Sequence, residues 1–129
     1  VSAFMYKNPF MLYAGQEFGE RGMDKEGFSG RDGRTTIFDY WTVTALYHGY
    51  VDRRKLTNAE KTLEHIYARI LNVATEEKAI SEGLFFDLMY ANDSNVAFDS
   101  YCTYAFVRKC DDEAVLVVVN FRIGIQTAK

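Results

Sequence analysis

The residues of this chain whose placement could do chemistry are carboxylates and aromatics. Gln16 and Glu17 follow an almost wholly apolar run, Pro9 to Ala14, across Gly15. A carboxylate at the end of a buried strand is a common catalytic position, because that is where α/β barrels present side chains to a substrate. Asp24, Asp32 and Asp39 gather oxygen ligands in one stretch, as calcium sites do, but lack the alternate-residue spacing of a dedicated calcium loop. Their spacing favours solvated or salt-bridged carboxylates. Tyr40 and Trp41 could form a sugar-stacking platform, whereas the adjoining Ile37 and Phe38 favour core packing. His48, between Tyr47 and Gly49, reads as a packed or hydrogen-bonding residue, and His65 as an exposed one. Cys102 and Cys110 are eight positions apart in one strand-like run, roughly 26 Å at about 3.3 Å per residue, too far to bridge. Two free cysteines lean towards a reducing compartment.

The elements that position these groups change character along the chain. A short apolar run closed by glycine, Pro9 to Ala14, predicts a strand buried on both faces, which requires neighbours that a short chain hardly supplies. Gly15 to Asp39, with six glycines among charged residues, predicts a long loop of functional type. Thr35 to Tyr50 carries Ile37, Phe38, Tyr40, Trp41, Leu46 and Tyr47 and is expected to be buried. A helix is predicted over Asn58 to Ala74, where Leu63, Ile66, Tyr67, Ile70, Leu71 and Ala74 recur at three- and four-residue spacing. Thr57 and Glu60 have the form of a capping box at its start, worth on the order of 1 kcal/mol. Beyond Gly83 strands take over. Leu84 to Tyr90 is one, and Tyr101 to Arg108 with Ala114 to Phe121 reads as an antiparallel hairpin across Lys109 to Glu113. Three or four strands fall short of the roughly seven of an ordinary sandwich.

Length and composition set the outer limits. With 129 residues, 48% hydrophobic and 16% aromatic, the chain supports one ordinary core rather than two full domains. A net charge of −3 with scattered Lys and Arg argues against a nucleic-acid partner. No apolar run approaches the roughly 20 residues of a membrane span. The opening Val1-Ser2-Ala3-Phe4-Met5-Tyr6 lacks the pattern of a secretion signal, and the chain reads as a piece of a longer one, with its cellular address left open.

The segment Leu12-Tyr13-Ala14-Gly15-Gln16-Glu17-Phe18-Gly19 resembles the last barrel strand of the α-amylase family of glycoside hydrolases. The order that follows strengthens the resemblance: Asp32-Gly33-Arg34-Thr35-Thr36-Ile37-Phe38-Asp39-Tyr40-Trp41, a capped helix, then Tyr104-Ala105-Phe106-Val107-Arg108 and Val115-Leu116-Val117-Val118-Val119-Asn120-Phe121. The last two segments resemble the opening hairpin of the family's C-terminal domain. Lys7 departs from the pattern, standing where the family usually has glycine, and Arg122 to Lys129 match none of it. The resemblance implies an α+β chain: the end of a (β/α)8 barrel over residues 1–78, supplying one strand, a long loop and a helix, then an incomplete, antiparallel, β-sandwich-like domain over residues 79–129.

For function, the resemblance implies a parent enzyme that hydrolyses α-1,4-glucans such as starch, glycogen and maltooligosaccharides by the retaining route, with two carboxylates flanking the scissile bond about 5 to 5.5 Å apart. The family's three catalytic acids belong to earlier segments that this sequence does not contain, so the chain itself is expected to be inactive. Gln16, Glu17, Asp32, Arg34 and Trp41 are the substrate-contact candidates, with a loop-ordering role favoured for Glu17. No cofactor is expected in this piece, and calcium stays open for the parent. The competing expectations are a non-catalytic carbohydrate-binding domain, suggested by aromatic richness, and an assembly module in which open sheet edges pair into a homo-oligomer.

Overall fold

A computed structural model of the chain describes residues 1–20 and 43–125. The architecture is α+β, with several helices and a three-stranded antiparallel open sheet. Two compact units are distinguished, Met11–Arg69 and Val1–Phe10 with Ile70–Lys129.

The second of these units contains the sheet. Helix α1 (Ser2–Met5) opens the chain, and after α2 (Thr44–Tyr50) and α3 (Asn58–Glu76) comes the short α4 (Lys78–Ser81). The strands are β1 (Leu84–Asp87), β2 (Thr103–Cys110) and β3 (Glu113–Asn120), in the order β1-β2-β3. The expected hairpin is present with a tighter connection. Cys110 pairs with Glu113, so only Asp111 and Asp112 make the turn, with Asp111 at φ 50°, a conformation aspartate tolerates. The expected strand Leu84 to Tyr90 stops at Asp87, because the Asp87 carboxylate accepts the Met89 amide at 2.7 Å and the chain turns into a 3-10 segment, Tyr90–Asn92.

Pairing fixes the two faces of the sheet. Phe85, Phe106, Arg108, Val115 and Val117 share one face, and Leu84, Phe86, Ala105, Val107, Leu116 and Val118 share the other. The first face holds the core of this unit. Phe106 and Arg108 are buried there, and Phe85 packs on Phe106 with ring centroids 5.2 Å apart. On the second face Leu84, Phe86, Leu116 and Val118 are exposed.

Arg108 organises the buried face. Its Nη1 donates to the carbonyls of Phe4 (3.0 Å) and Met5 (2.7 Å), and its Nη2 to those of Ile80 (2.8 Å) and Gly83 (2.7 Å). Phe4 and Met5 end α1, while Ile80 lies in the last turn of α4 and Gly83 just beyond it. One guanidinium thus satisfies carbonyls that two short helices leave without intrahelical donors, with its positive charge at the negative ends of their dipoles. At the other end of α4 the Glu113 carboxylate accepts the Ala79 amide at 3.0 Å. A four-residue helix has little stability of its own; α4 exists because β2 and β3 hold both its ends. Gly83 permits the approach, since a Cβ there would lie 2.1 Å from the Ala79 carbonyl oxygen and 2.7 Å from that of Lys109. Burial lowers the guanidinium's pKa from its usual value, yet an arginine starts so high that it stays charged.

The capping box of α3 is present as expected: the Thr57 amide donates to Glu60 (2.7 Å) and the Glu60 amide to Thr57 Oγ1 (3.2 Å). The helix runs two residues past the expected Ala74, to Glu76. None of its residues is fully buried, and Ile66, Ile70 and Val73 are exposed, so its apolar stripe is only partly used.

Two expectations are corrected. Pro9 to Ala14 forms no strand: it has no regular secondary structure until a turn at Ala14, and Phe10, Met11 and Tyr13 are exposed, Met11 at 87%. A strand covered on both faces needs ladder partners on both sides, and none of the described strands pairs with it. Tyr47, expected to be buried, is also exposed, because α2 turns it outward while packing Ala45 and Gly49 inward.

Replacing Arg108 by Met should remove all four bonds and orphan four carbonyls, costing on the order of 3 to 5 kcal/mol. Urea denaturation followed by circular dichroism checks this; a change below about 0.5 kcal/mol, the size of an ordinary surface substitution, would contradict it.

Candidate functional site

The candidate residues that fall within the described chain lie in the Met11–Arg69 unit. Gln16, Glu17 and Phe18 form a single 3-10 turn bounded by Gly15 and Gly19, both at positive φ (84° and 74°). The turn points successive side chains in different directions. Phe18 goes inward, into a small core with Ala45 and Leu56, and packs so closely on α2 that a Cβ at Gly49 would lie 2.2 Å from its ring. Its ring meets Tyr50 edge-on, centroids 5.3 Å apart.

Gln16 and Glu17 are neighbours with opposite environments. Gln16 is exposed; its Oε1 accepts the Tyr13 amide at 3.4 Å and its Nε2 donates to the Tyr67 hydroxyl at 2.9 Å. Glu17 is only 7% exposed, and its Oε1 accepts a short hydrogen bond from the Tyr50 hydroxyl, while Oε2 is buried without a hydrogen-bond partner. The carboxylate in turn raises the Tyr50 pKa, through this hydrogen bond first and burial second. An acid held inward by a tyrosine anchors its turn and offers no open oxygen to a substrate.

The open surface lies beside Glu17. A shallow cleft of about 270 Å³ is lined by Tyr13, Ala14, Gln16, Gly19 and Glu20. Glu20 accepts the Leu46 amide at 2.9 Å, tying this wall to the first turn of α2. His48 is a hydrogen-bonding residue, as its setting predicted: Nδ1 lies 3.2 and 3.3 Å from the two Glu60 oxygens. The Thr57 amide, followed by His48, holds the Glu60 carboxyl below its usual pKa. Arg53 donates to the Gly49 carbonyl (2.9 Å) and grips both Glu64 oxygens (3.0 and 2.9 Å). His65 is exposed, as expected.

Of the substrate-contact candidates, Gln16 reaches the cleft and Glu17 turns away from it. Asp32, Arg34 and Trp41 lie outside the described residues, as do Asp24, Asp39 and Tyr40. Among the described residues no three His, Cys, Asp or Glu side chains gather as a metal site would require. Cys102 and Cys110 are both free. The residues that sequence reasoning did not single out are Tyr13, Glu20, Tyr50 and Tyr67. Tyr50 bonds to a residue 33 positions away and Tyr67 to one 51 away, separations that carry no local signature.

Tyr50→Phe should leave both Glu17 oxygens without a donor and cost about 1 to 3 kcal/mol at neutral pH. Tyr50 has a raised folded pKa, so its contribution is fully present below the unfolded value of about 10 and is lost as pH rises through the folded value. Urea midpoints measured from neutral pH upward should fall in wild type and show a smaller alkaline decline in Tyr50→Phe; identical profiles would contradict the Glu17–Tyr50 link. Compared with known proteins, the chain matches no protein-family model, no curated protein and no solved structure.

Proposed function

We propose that this chain is part of an α-amylase-like retaining glycoside hydrolase acting on α-1,4-glucans, and that the chain itself is structural. In this reading residues 1–78 end the catalytic barrel and residues 79–129 begin a β-sandwich-like domain. The observation that carries it is the order of segments: the Tyr13-Ala14-Gly15-Gln16-Glu17 turn, the capped α3, then Tyr104 to Arg108 paired antiparallel with Val115 to Val119.

Three further observations support a chain that works with neighbours. The run Pro9 to Ala14 lies mostly exposed, α3 leaves Ile66, Ile70 and Val73 open, and the sheet leaves Leu84, Phe86, Leu116 and Val118 uncovered. Large apolar side chains grouped on one face are more telling than scattered ones. Within the cleft, Gln16 is the residue available to a sugar hydroxyl, while Glu17 orders the turn beneath it. Proton transfer and nucleophilic attack then belong to acids that the longer polypeptide supplies.

A carbohydrate-binding reading without catalysis draws on Tyr47 and Tyr50, both exposed on α2. Tyr47 is already partly engaged, with the Lys55 ammonium 5.4 Å from its ring centroid.

The test is hydrolysis of maltoheptaose by the 129-residue chain and by a longer polypeptide that contains it. The expected result is no reducing sugar above a blank from the chain, and release of products with retained anomeric configuration from the longer polypeptide. Sugar release by the chain alone, or inversion by the longer polypeptide, would overturn the proposal.

A further inference from the structure

The open edge of the sheet is a feature that the glucan reading leaves unused, and we propose that β3 pairs with β3 of a second copy of this chain, antiparallel about Val117. The inference does not rest on the glycosidase reading. It rests on how differently the two edges of the sheet are built.

Among the described residues β1 and β3 are the edge strands. β1 has four residues and is ended by the turn at Asp87. A short edge closed by a turn offers little template for pairing. β3 has eight residues, each in unbroken register with β2, so no bulge twists the edge away. Between Ala114 and Asn120 it carries no Lys, Arg, Asp, Glu or Pro, the residues that ordinarily guard an edge. Long, regular and uncharged from Ala114 to Asn120, this edge has no ladder partner other than β2 among the described residues.

The sequence of β3 also suits pairing with itself. About a two-fold axis at Val117, Leu116 falls opposite Val118 of the second copy and Val115 opposite Val119, while Ala114 meets Asn120 and Glu113 meets Phe121. The central pairs are aliphatic or β-branched, which favours cross-strand packing, and no like charges oppose each other. Because positions 116 and 118 share a face, the pairing keeps both copies' exposed Leu116 (62%) and Val118 (51%) on the same side of the joined sheet. There they pack against each other instead of facing water singly. The contact is isologous and closed, and among the described residues the remaining edges are the two short β1 strands, which favours assembly stopping at two copies.

Analytical ultracentrifugation of the 14.8 kDa chain across the micromolar range tests this. The expected result is a monomer–dimer equilibrium. The double variant Leu116→Lys with Val118→Lys sets lysines opposite each other at both positions and should be monomeric throughout, at least tenfold weaker in association. The companion double variant Leu116→Lys with Val118→Glu faces lysine with glutamate across the axis and should recover the dimer. Both substituted side chains point to the open face, away from Phe106 and Arg108. A wild-type monomer mass at every concentration would overturn the proposal, as would equal association of the two double variants.

Discussion

The sheet-bearing part of the molecule depends on a buried guanidinium. Taking the Arg108 charge out of water is costly, and among the described residues no carboxylate is bonded to it. The compensation is geometric. Four carbonyl oxygens from Phe4, Met5, Ile80 and Gly83 converge on its two terminal nitrogens within 3.0 Å. Three of the carbonyls come from helix ends where the backbone has run out of its own donors, and the fourth, that of Gly83, from just beyond α4, so arginine and helices solve each other's problem. The Nε alone is buried without a partner. Loss of the side chain would leave α1, and α4 at its C-terminal end, without the donors that hold them against the sheet.

The same logic, a polar group completing what a short element cannot complete itself, recurs through the structure. Glu113 takes the Ala79 amide at the start of α4, Glu60 takes the Thr57 amide at the start of α3, and Glu20 takes the Leu46 amide in the first turn of α2. Glu17 anchors its turn by accepting the Tyr50 hydroxyl. Each of these four described acids is spent on architecture. Among the described residues, the apolar surface left open is one face of the sheet, with the β3 edge beside it, and the stripe along α3.

How much of this could be read from the sequence follows from how local each signal is. The α3 helix was legible because its apolar spacing and its Thr57–Glu60 cap lie within a few residues of one another. The β2–β3 hairpin was legible because aromatic and β-branched runs flank a charged turn. Helices α1, α2 and α4 were missed: they are four to seven residues long, and at α4 the contacts that fix it come from Glu113 and Arg108. The run Pro9 to Ala14 was misread because an apolar run describes a strand only where neighbours pair with it. For the site, the sequence singled out Gln16 and Glu17 but could not say that one faces out and the other in, since that depends on Tyr67 and Tyr50. Arg108 entered only as the end of a motif. Its place in the alternation Tyr104, Phe106, Arg108, which sets it on the same face as the core aromatics, was the available clue to its role.

The most direct test of this account is nitrogen-15 NMR of the Arg108 guanidinium in the intact chain, assigned by comparison with an Arg108→Lys variant. With all four Nη hydrogens committed to fixed carbonyls, rotation about the guanidinium bonds should be hindered. The account predicts separately resolved Nη–H resonances that exchange slowly with water. A single averaged Nη signal exchanging as fast as those of the exposed arginines would contradict it.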